Sequence, residues 1–415
     1  MLKKINKRWL PPLEQLMISG LSFFINGILI LLSDKANYGQ FSLLYSYVLL
    51  IIGVHAAIIA TPMLVEASRE SDENKQAFVA NISRLLLASI LFVFILLICF
   101  WSAFNNAMLI EAFVFTLLTS VLREYSRSIY LLHEQFERSI SITFLYCASI
   151  VSGCMFCYWL LKSLTAVNAF FIIGAANVMF SLPHIITSSR AKSSVSIWNS
   201  AGRLWVHTRW ALPGVVVIWL QNNAFLSIVS LRLGTVVAAD LSSARLLIMP
   251  YMSFFSGYTR PLISQLSQLI ESSKISVAFN KAKKLTAWQA AICGVMAIVF
   301  LACYAVQRQY GLFEKYEHLF LYGAGWAVFA GCNSARAPFA IFIQAYRNFK
   351  LLFLLSIVTA IISVSGVWFA TYASLPIGVT FMLALSEIVL LVCLFWKVKR
   401  INSNTEPSPR SSECQ

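Results

Sequence analysis

The chain has 415 residues, of which 59% are hydrophobic and 12% charged, and its formal net charge is +15. A soluble domain carries about twice that share of charge, so a water-soluble globule is excluded and most of the chain is expected to lie in lipid. The positive balance would point to nucleic acid in a soluble protein; here basic loops on one side of a membrane explain it, and no nucleic-acid partner is expected.

A spanning helix needs about 20 mostly apolar residues. In chain order the predicted spans are 11–32, 41–65, 83–101, 107–130, 139–161, 165–187, 208–231, 241–261, 286–306, 318–345, 351–371 and 376–397. The first run, Leu13–Leu32, is too long for the core of a secretory signal and has no small-residue cleavage site after it. The tenth span is long, which tilt can accommodate. With the N-terminus inside, 25 of the 32 Lys and Arg fall in inside segments and five outside. The outside set is Lys35, Lys162, Arg232, Arg308 and Lys315. This asymmetry predicts that both termini are cytoplasmic and favours an even number of spans.

The chain divides at the basic stretch Ser188–Arg203. The expected domains are a six-helix bundle over 1–187, a cytoplasmic linker over 188–207, a second six-helix bundle over 208–397 and a disordered tail over 398–415. An even repeat keeps its orientation, so the bundles are expected to be related by a pseudo-two-fold axis along the membrane normal. The fold class is therefore an all-α integral membrane protein of twelve helices. Leu31–Arg84 and Leu231–Lys284 share a layout: a short polar turn, a span interrupted by Pro62 or Pro261, a polar loop, and Ala77-Phe78 or Ala278-Phe279 before the next span. Such self-similarity suits a transporter built from two repeated halves.

Arginine near the centre of a span costs about 2.5–3.5 kcal/mol, so it needs a partner, a wet cavity or the interface. Arg336 lies mid-span, with Asn333, Gln344 and Arg347 on its face at −3, +8 and +11. It lines a cavity, pairs with Glu387 of the twelfth span, or does both. Arg123 and Arg127 lie four apart in the fourth span, with Tyr130 and Glu134 continuing their face; snorkelling to headgroups is the alternative to a cavity role. Arg245 shares a face with Ser242, Ser253, Ser256 and Arg260, and interface anchoring competes with a cavity role there. The first span carries Gln15, Ser19, Ser22 and Asn26 at helical spacing, and the seventh carries Gln221, Asn222 and Asn223, then Ser227 and Ser230. Interhelical hydrogen bonding is the plainer reading of both stripes. Pro213-Gly214 would bend the seventh span.

Acids are few: Glu14 and Asp240 near span ends, Glu111 a turn into the fourth span, and Glu387 deeper. Glu387, Glu111 and His55 are the candidates for a coupling proton. His55 could titrate near neutral pH, although a lone His in a packed helix is more often simply hydrogen-bonded. Cys154 and Cys157 have CxxC spacing inside a span without a second pair, and are read as small packing residues. There is no P-loop, HExxH or GxSxG. No catalytic residue, metal or cofactor is expected, and transport would be driven by a gradient.

Leu233-Gly234, followed by small and acidic residues, precedes a span ending in Arg260-Pro261-Leu262-Ile263-Ser264-Gln265-Leu266. This pattern resembles the polysaccharide (O-antigen) flippases of the multidrug/oligosaccharidyl-lipid/polysaccharide exporter (MOP) superfamily, and with the span count the resemblance covers nearly the whole chain. It implies a protein of the bacterial inner membrane that moves an oligosaccharide on undecaprenyl pyrophosphate from the cytoplasmic to the periplasmic leaflet, with a polysaccharide polymerase and a chain-length regulator as possible partners. It also implies that the first and seventh helices line a central cleft and that the Arg-rich stretch of the fourth span is functional. The chain departs from better-known members in having no Arg in its first span. On this reading Arg336, Arg123, Arg127 and Arg245 bind the pyrophosphate, and Gln15, Ser19, Ser22, Asn26, Gln221, Asn222, Asn223, Asn333 and Gln344 line the path. A cation-coupled drug antiporter of the same superfamily, which would want acids in the cleft, and a non-transporting scaffold are the competing readings.

Overall fold

The computed structural model describes residues 10–67, 71–99, 108–191, 196–252, 272–310, 314–346 and 348–405, with 255, 262, 265, 266 and 268–270. Among them every regular element is helical. The chain divides into two compact units, Met1–Val216 and Val217–Gln415. The first contains α1 (Leu10–Leu32), α2 (Lys35–His55), a π turn (Ala56–Ala60), α3 (Thr61–Ala67), α4 (Asp72–Cys99), α5 (Met108–Leu132), α6 (Phe136–Leu161), α7 (Ala166–Ser189) and the first part of α8 (Ile197–Leu233). The second contains the rest of α8, α9 (Thr235–Leu246), α10 (Ile275–Tyr310), α11 (Leu319–Ala345), α12 (Phe349–Tyr372) and α13 (Pro376–Thr405).

Short polar side chains start these helices by satisfying first-turn N–H groups. Asp34 accepts from the Asn37 N–H at 2.6 Å, Thr165 from Asn168 at 3.3 Å and Asn348 from Leu351 at 3.2 Å. Gly234, the glycine of the repeated turn, sits at φ 90° between α8 and α9, a conformation that penalises a β-carbon.

Nine helices among the described residues are long and apolar enough to cross a membrane. Of the other three expected spans, α5 carries Arg123 and Arg127 and α11 carries Arg336, and the eighth is only partly described, with Thr235–Leu246 as its longest continuous helix. Apolar side chains face outward, among them Trp159, Phe144, Ile298 and Ile361, while Thr143, Asn177, Gln221 and Thr380 are buried. A bilayer accepts this inverted arrangement and water does not. The first unit's core gathers Phe78, Ile82, Leu122, Tyr125 and Ile185; the second's gathers Leu262, Leu266, Phe339, Phe342 and Leu394. Helix α11 reaches its neighbours through small residues. A β-carbon at Gly325 would strike Thr380 of α13, and one at Gly331 would come within 2.8 Å of Cys293 of α10.

Two segments expected to be irregular are helical. The stretch 188–207 is helical to Ser189 and again from Ile197, because Leu204 enters the first unit's core and Asn81 donates to the Ser200 hydroxyl at 3.2 Å. The tail expected to be disordered from 398 is helical to Thr405, anchored by buried Val398. Several residues used in the sequence reading lie outside the described ones: Lys3, Lys4, Lys7, Arg8, Arg69, Lys192, Ser253, Ser256, Arg260, Pro261, Ile263, Ser264, Arg347, Arg410 and Cys414.

The π turn between α2 and α3 shows how a proline is accommodated. Pro62 has no N–H to offer the Ile58 carbonyl four residues back, and the Thr208 hydroxyl of α8 donates to that oxygen at 3.0 Å. Replacing Thr208 by Val is expected to lower the free energy of unfolding in detergent by about 1 kcal/mol. In a Pro62→Ala background, where residue 62 regains an N–H, the same substitution should cost less than half as much. Equal costs in both backgrounds would show that the hydroxyl does not serve the proline.

Candidate functional site

In the second unit, α8, α11 and α13 converge on the carboxylate of Glu387, which is 0% exposed. Its Oε1 accepts from Gln221 Nε2 at 2.9 Å and from Asn333 Nδ2 at 3.1 Å. Its Oε2 pairs with Arg336 Nε. Asn333 and Arg336 lie three apart on α11 and so share a face. The Arg336 side chain is 22% exposed. The paired alternative for Arg336 is therefore realised, and the polar side chains of three helices meet around one buried charge pair.

Arg245, in the last turn of α9, donates to Asn223 Oδ1 at 3.2 Å. Its guanidinium lies 5.3 Å from the Trp326 ring centroid and 5.7 Å from that of Phe225. The Trp326 indole is fixed by its own bond to the Leu241 carbonyl at 2.8 Å. This is a cation held over aromatic faces.

In the first unit, α1, α5 and α6 build a second network. Glu14 of α1 is buried, and its Oε1 accepts from Ser139 and Thr143 of α6, both at 2.9 Å. Arg127 of α5 lies 3.2 Å from the same oxygen, 3.6 Å from Glu124, and donates to Gln15 at 3.1 Å. Arg123, one turn earlier, is 8% exposed and donates to the Thr143 hydroxyl at 2.6 Å. Its guanidinium lies 4.8 Å from the Tyr146 ring centroid. Among the described residues Arg123 has no carboxylate in ion-pair range, and its Nε has no hydrogen-bond partner. A buried cation held by a hydroxyl and a π face keeps an unmet demand for negative charge.

The other expected site residues are placed separately. Asn26 bonds the Ser22 carbonyl at 2.8 Å and accepts from Tyr38 of α2 at 3.3 Å. Ser19 is half-buried on the same helix, so the stripe beyond Gln15 serves helix contacts. Asn222 turns back to the Ile218 carbonyl at 2.9 Å. Gln344 is half-buried on α11, and Glu111 sits in the first turn of α5, where negative charge suits the helix dipole. His55 ends α2, buried and edge-on to Tyr125, and neither ring nitrogen has a hydrogen-bond partner among the described residues. Cys154 and Cys157 are free thiols. The sequence reading passed over the centre of the first network: Glu14 was treated as a helix-end acid, and Ser139, Thr143 and Tyr146 were not considered. Their spacing of four and then three on α6 was the available signal.

Two sets of helices, most of them long and apolar enough to cross a membrane and each holding a buried glutamate against an arginine, define an all-α multi-pass membrane fold. Solved structures share it. An inward-facing multidrug resistance MATE family transporter of the MOP superfamily matches with a TM-score of 0.71 at 12% identity, over 96% of this chain and 99% of that one. The lipid II flippase MurJ in an inward closed conformation matches at 0.66 and 13%, over 93% and 87%. A MOP superfamily transporter from Pyrococcus furiosus, whose binding pocket of reverse polarity suggests a different function, matches at 0.59 and 14%, over 97% of each. No family model matches the sequence, and neither does any curated protein.

The Glu387 centre makes an asymmetric prediction. Removing Arg336 strands a fully buried carboxylate, whereas removing Glu387 leaves a guanidinium that is only partly buried. Breaking a buried pair costs about 3–5 kcal/mol. Arg336→Met should therefore lower the midpoint of thermal unfolding more than Glu387→Gln, and the double variant should recover part of the loss. A double variant as unstable as the sum of the singles would rule out a coupled pair.

Proposed function

We propose that the chain translocates an undecaprenyl-pyrophosphate-linked oligosaccharide, the repeat unit of a surface polysaccharide such as O-antigen, from the cytoplasmic to the periplasmic leaflet of the bacterial inner membrane by alternating access. The observation that carries this is Arg123: a buried guanidinium with no carboxylate in ion-pair range among the described residues, on the same helix as Arg127. A diphosphate supplies the negative charge and the acceptor oxygens that such a group lacks. In the second half Arg336, on the helix that corresponds in order, is the cationic candidate, and Arg245, held at Asn223 and Trp326, is another. Glu387 holds Arg336 when no substrate is present. Protonation of Glu387 would free the guanidinium for phosphate and give the transport cycle its proton. Likeness to both a lipid II flippase and a drug transporter supports a MOP-type cycle and leaves substrate choice to the charge of the site. Glu14 and Glu387 are the features a cation antiporter would use, but each is already engaged by arginine.

Vesicles reconstituted with the protein should move such a lipid-linked oligosaccharide between leaflets. At equal amounts of folded protein, Arg123→Gln should slow the movement about tenfold or more, as expected for losing a charge-assisted hydrogen bond to the substrate. Arg123→Lys should retain part of the rate. Full rate in both Arg123→Gln and Arg336→Gln would overturn the proposal. So would efflux of cationic drugs in place of lipid movement.

A further inference from the structure

The first turns of α8 carry a feature that neither charge network uses. Trp198 is 79% exposed and Trp205 is 63% exposed. Two turns apart on one continuous helix, they share a face. Gly202 lies between them on that face, and a β-carbon there would meet nothing within 4 Å. The opposite face is taken by the first unit. Ser200, Leu204 and Thr208 recur at intervals of about one turn and are buried. Ser200 accepts from Asn81 of α4, Leu204 joins the core that holds Ile82 and Ile185, and the Thr208 hydroxyl donates to the Ile58 carbonyl. An indole offers a large apolar surface with a single polar N–H. Both indoles precede Ala211–Leu233, the part of α8 apolar enough to cross a membrane, so without a cover they would stand in water.

Depth decides what covers them. Arg84 of α4 donates to the carbonyls of Ser189 at 2.9 Å and Ala191 at 2.8 Å, where α7 ends. The start of one crossing is therefore level with the end of the other. Asn81, about 5 Å before Arg84 along α4, is the residue that meets Ser200. Ser200 thus stands at the edge of the bilayer, and Leu204, one turn on, lies among side chains of the crossings. Trp198 and Trp205 fall on either side of that edge, about 10 Å apart along the helix axis. This is the headgroup layer, where indoles are enriched because one part of the ring meets hydrocarbon and the other meets water. Five turns beyond Trp198 the same face reaches exposed Val216 inside the crossing, so the stripe runs on into the lipid-facing surface. A helical segment that packs one face on protein and turns aromatic side chains to the bilayer lies at the interface.

We propose that Trp198, Gly202 and Trp205 form an interfacial anchor, seated in the headgroup layer on the side of the membrane expected to be cytoplasmic. Its partner is the headgroup and glycerol region of the bilayer. The two indoles fill that region, Gly202 leaves the face between them open to it, and Ser200, Leu204 and Thr208 tie the anchor to the first unit. The anchor is independent of the transported substrate, so it is tested without any assay of translocation.

The full-length protein would be reconstituted in phosphatidylcholine vesicles. The emission of the pair is the difference between wild type and the double variant Trp198→Phe with Trp205→Phe. With bromine high on the acyl chains, just below the headgroups, that difference should fall about twofold or more, as expected for indoles at the interface. With bromine near the chain ends the fall should be smaller. Acrylamide, which quenches from the water, should remove less of the pair's emission than of free tryptophan's. Both side chains are exposed, so the double variant is expected to fold, and an unchanged unfolding midpoint in detergent checks it. Quenching by acrylamide as strong as for free tryptophan, with none from brominated lipid, would put the indoles in water. Quenching by neither would put them against protein, a second copy included. Either result would overturn the proposal.

Discussion

A guanidinium cannot be left bare inside a membrane helix, and that constraint organises both units. Arginine does not lose its proton, so burial has to be met by partners. The chain uses three kinds. Arg336 takes a carboxylate whose other oxygen is held by two amides. Arg127 shares a carboxylate with two hydroxyls. Arg123 and Arg245 take neutral hydrogen bonds and aromatic faces. In the first unit these solutions are joined, since Thr143 accepts from Arg123 while it donates to Glu14. Removing any one member leaves another exposed to the cost.

Such networks require helices to approach closely and to arrive in a fixed rotation. Gly325 and Gly331 let α11 lie against α13 and α10, which keeps Asn333 and Arg336 within reach of Glu387. Buried Thr116 and Asn177 tie α5 to α7, through the Phe170 carbonyl and the Ser120 hydroxyl. Each such bond is worth about 0.6 kcal/mol in a membrane, too little to drive assembly but enough to fix register. The polarity has a visible cost: α5 and α11 are missing from the helices apolar enough to cross a membrane on composition alone.

Hydropathy alone located nearly all the helices, because a bilayer demands long apolar runs and the sequence shows them plainly. Arg336 and its partner Glu387 were also legible, since a mid-span charge leaves few ways to be satisfied. The role of Glu14 was not. Its position near a helix end suggested solvent, and only the packing of α1 on α6 buries it against Ser139 and Thr143. The separation of Ser22 and Asn26 from Gln15 was equally hidden, because spacing puts residues on one face without saying which neighbour that face meets. The helical linker and tail were missed for a related reason: Leu204 and Val398 are held by tertiary burial, not by local propensity.

The two charge networks differ in a way that bears on the proposed transport cycle. At Glu387 the positive charge is already neutralised, so an incoming phosphate must either displace a carboxylate or wait for it to take a proton. At Arg123 no carboxylate has to leave. On the proposed function, phosphate would be captured at Arg123 without a proton, whereas at Arg336 it would bind only once the carboxylate is displaced or neutral. Binding and protonation would then be linked at one arginine, because the carboxylate and the phosphate compete for the same guanidinium. In the first unit Glu14 is bound to Arg127 and reaches Arg123 only through Thr143, whereas in the second Glu387 is bound to Arg336 directly.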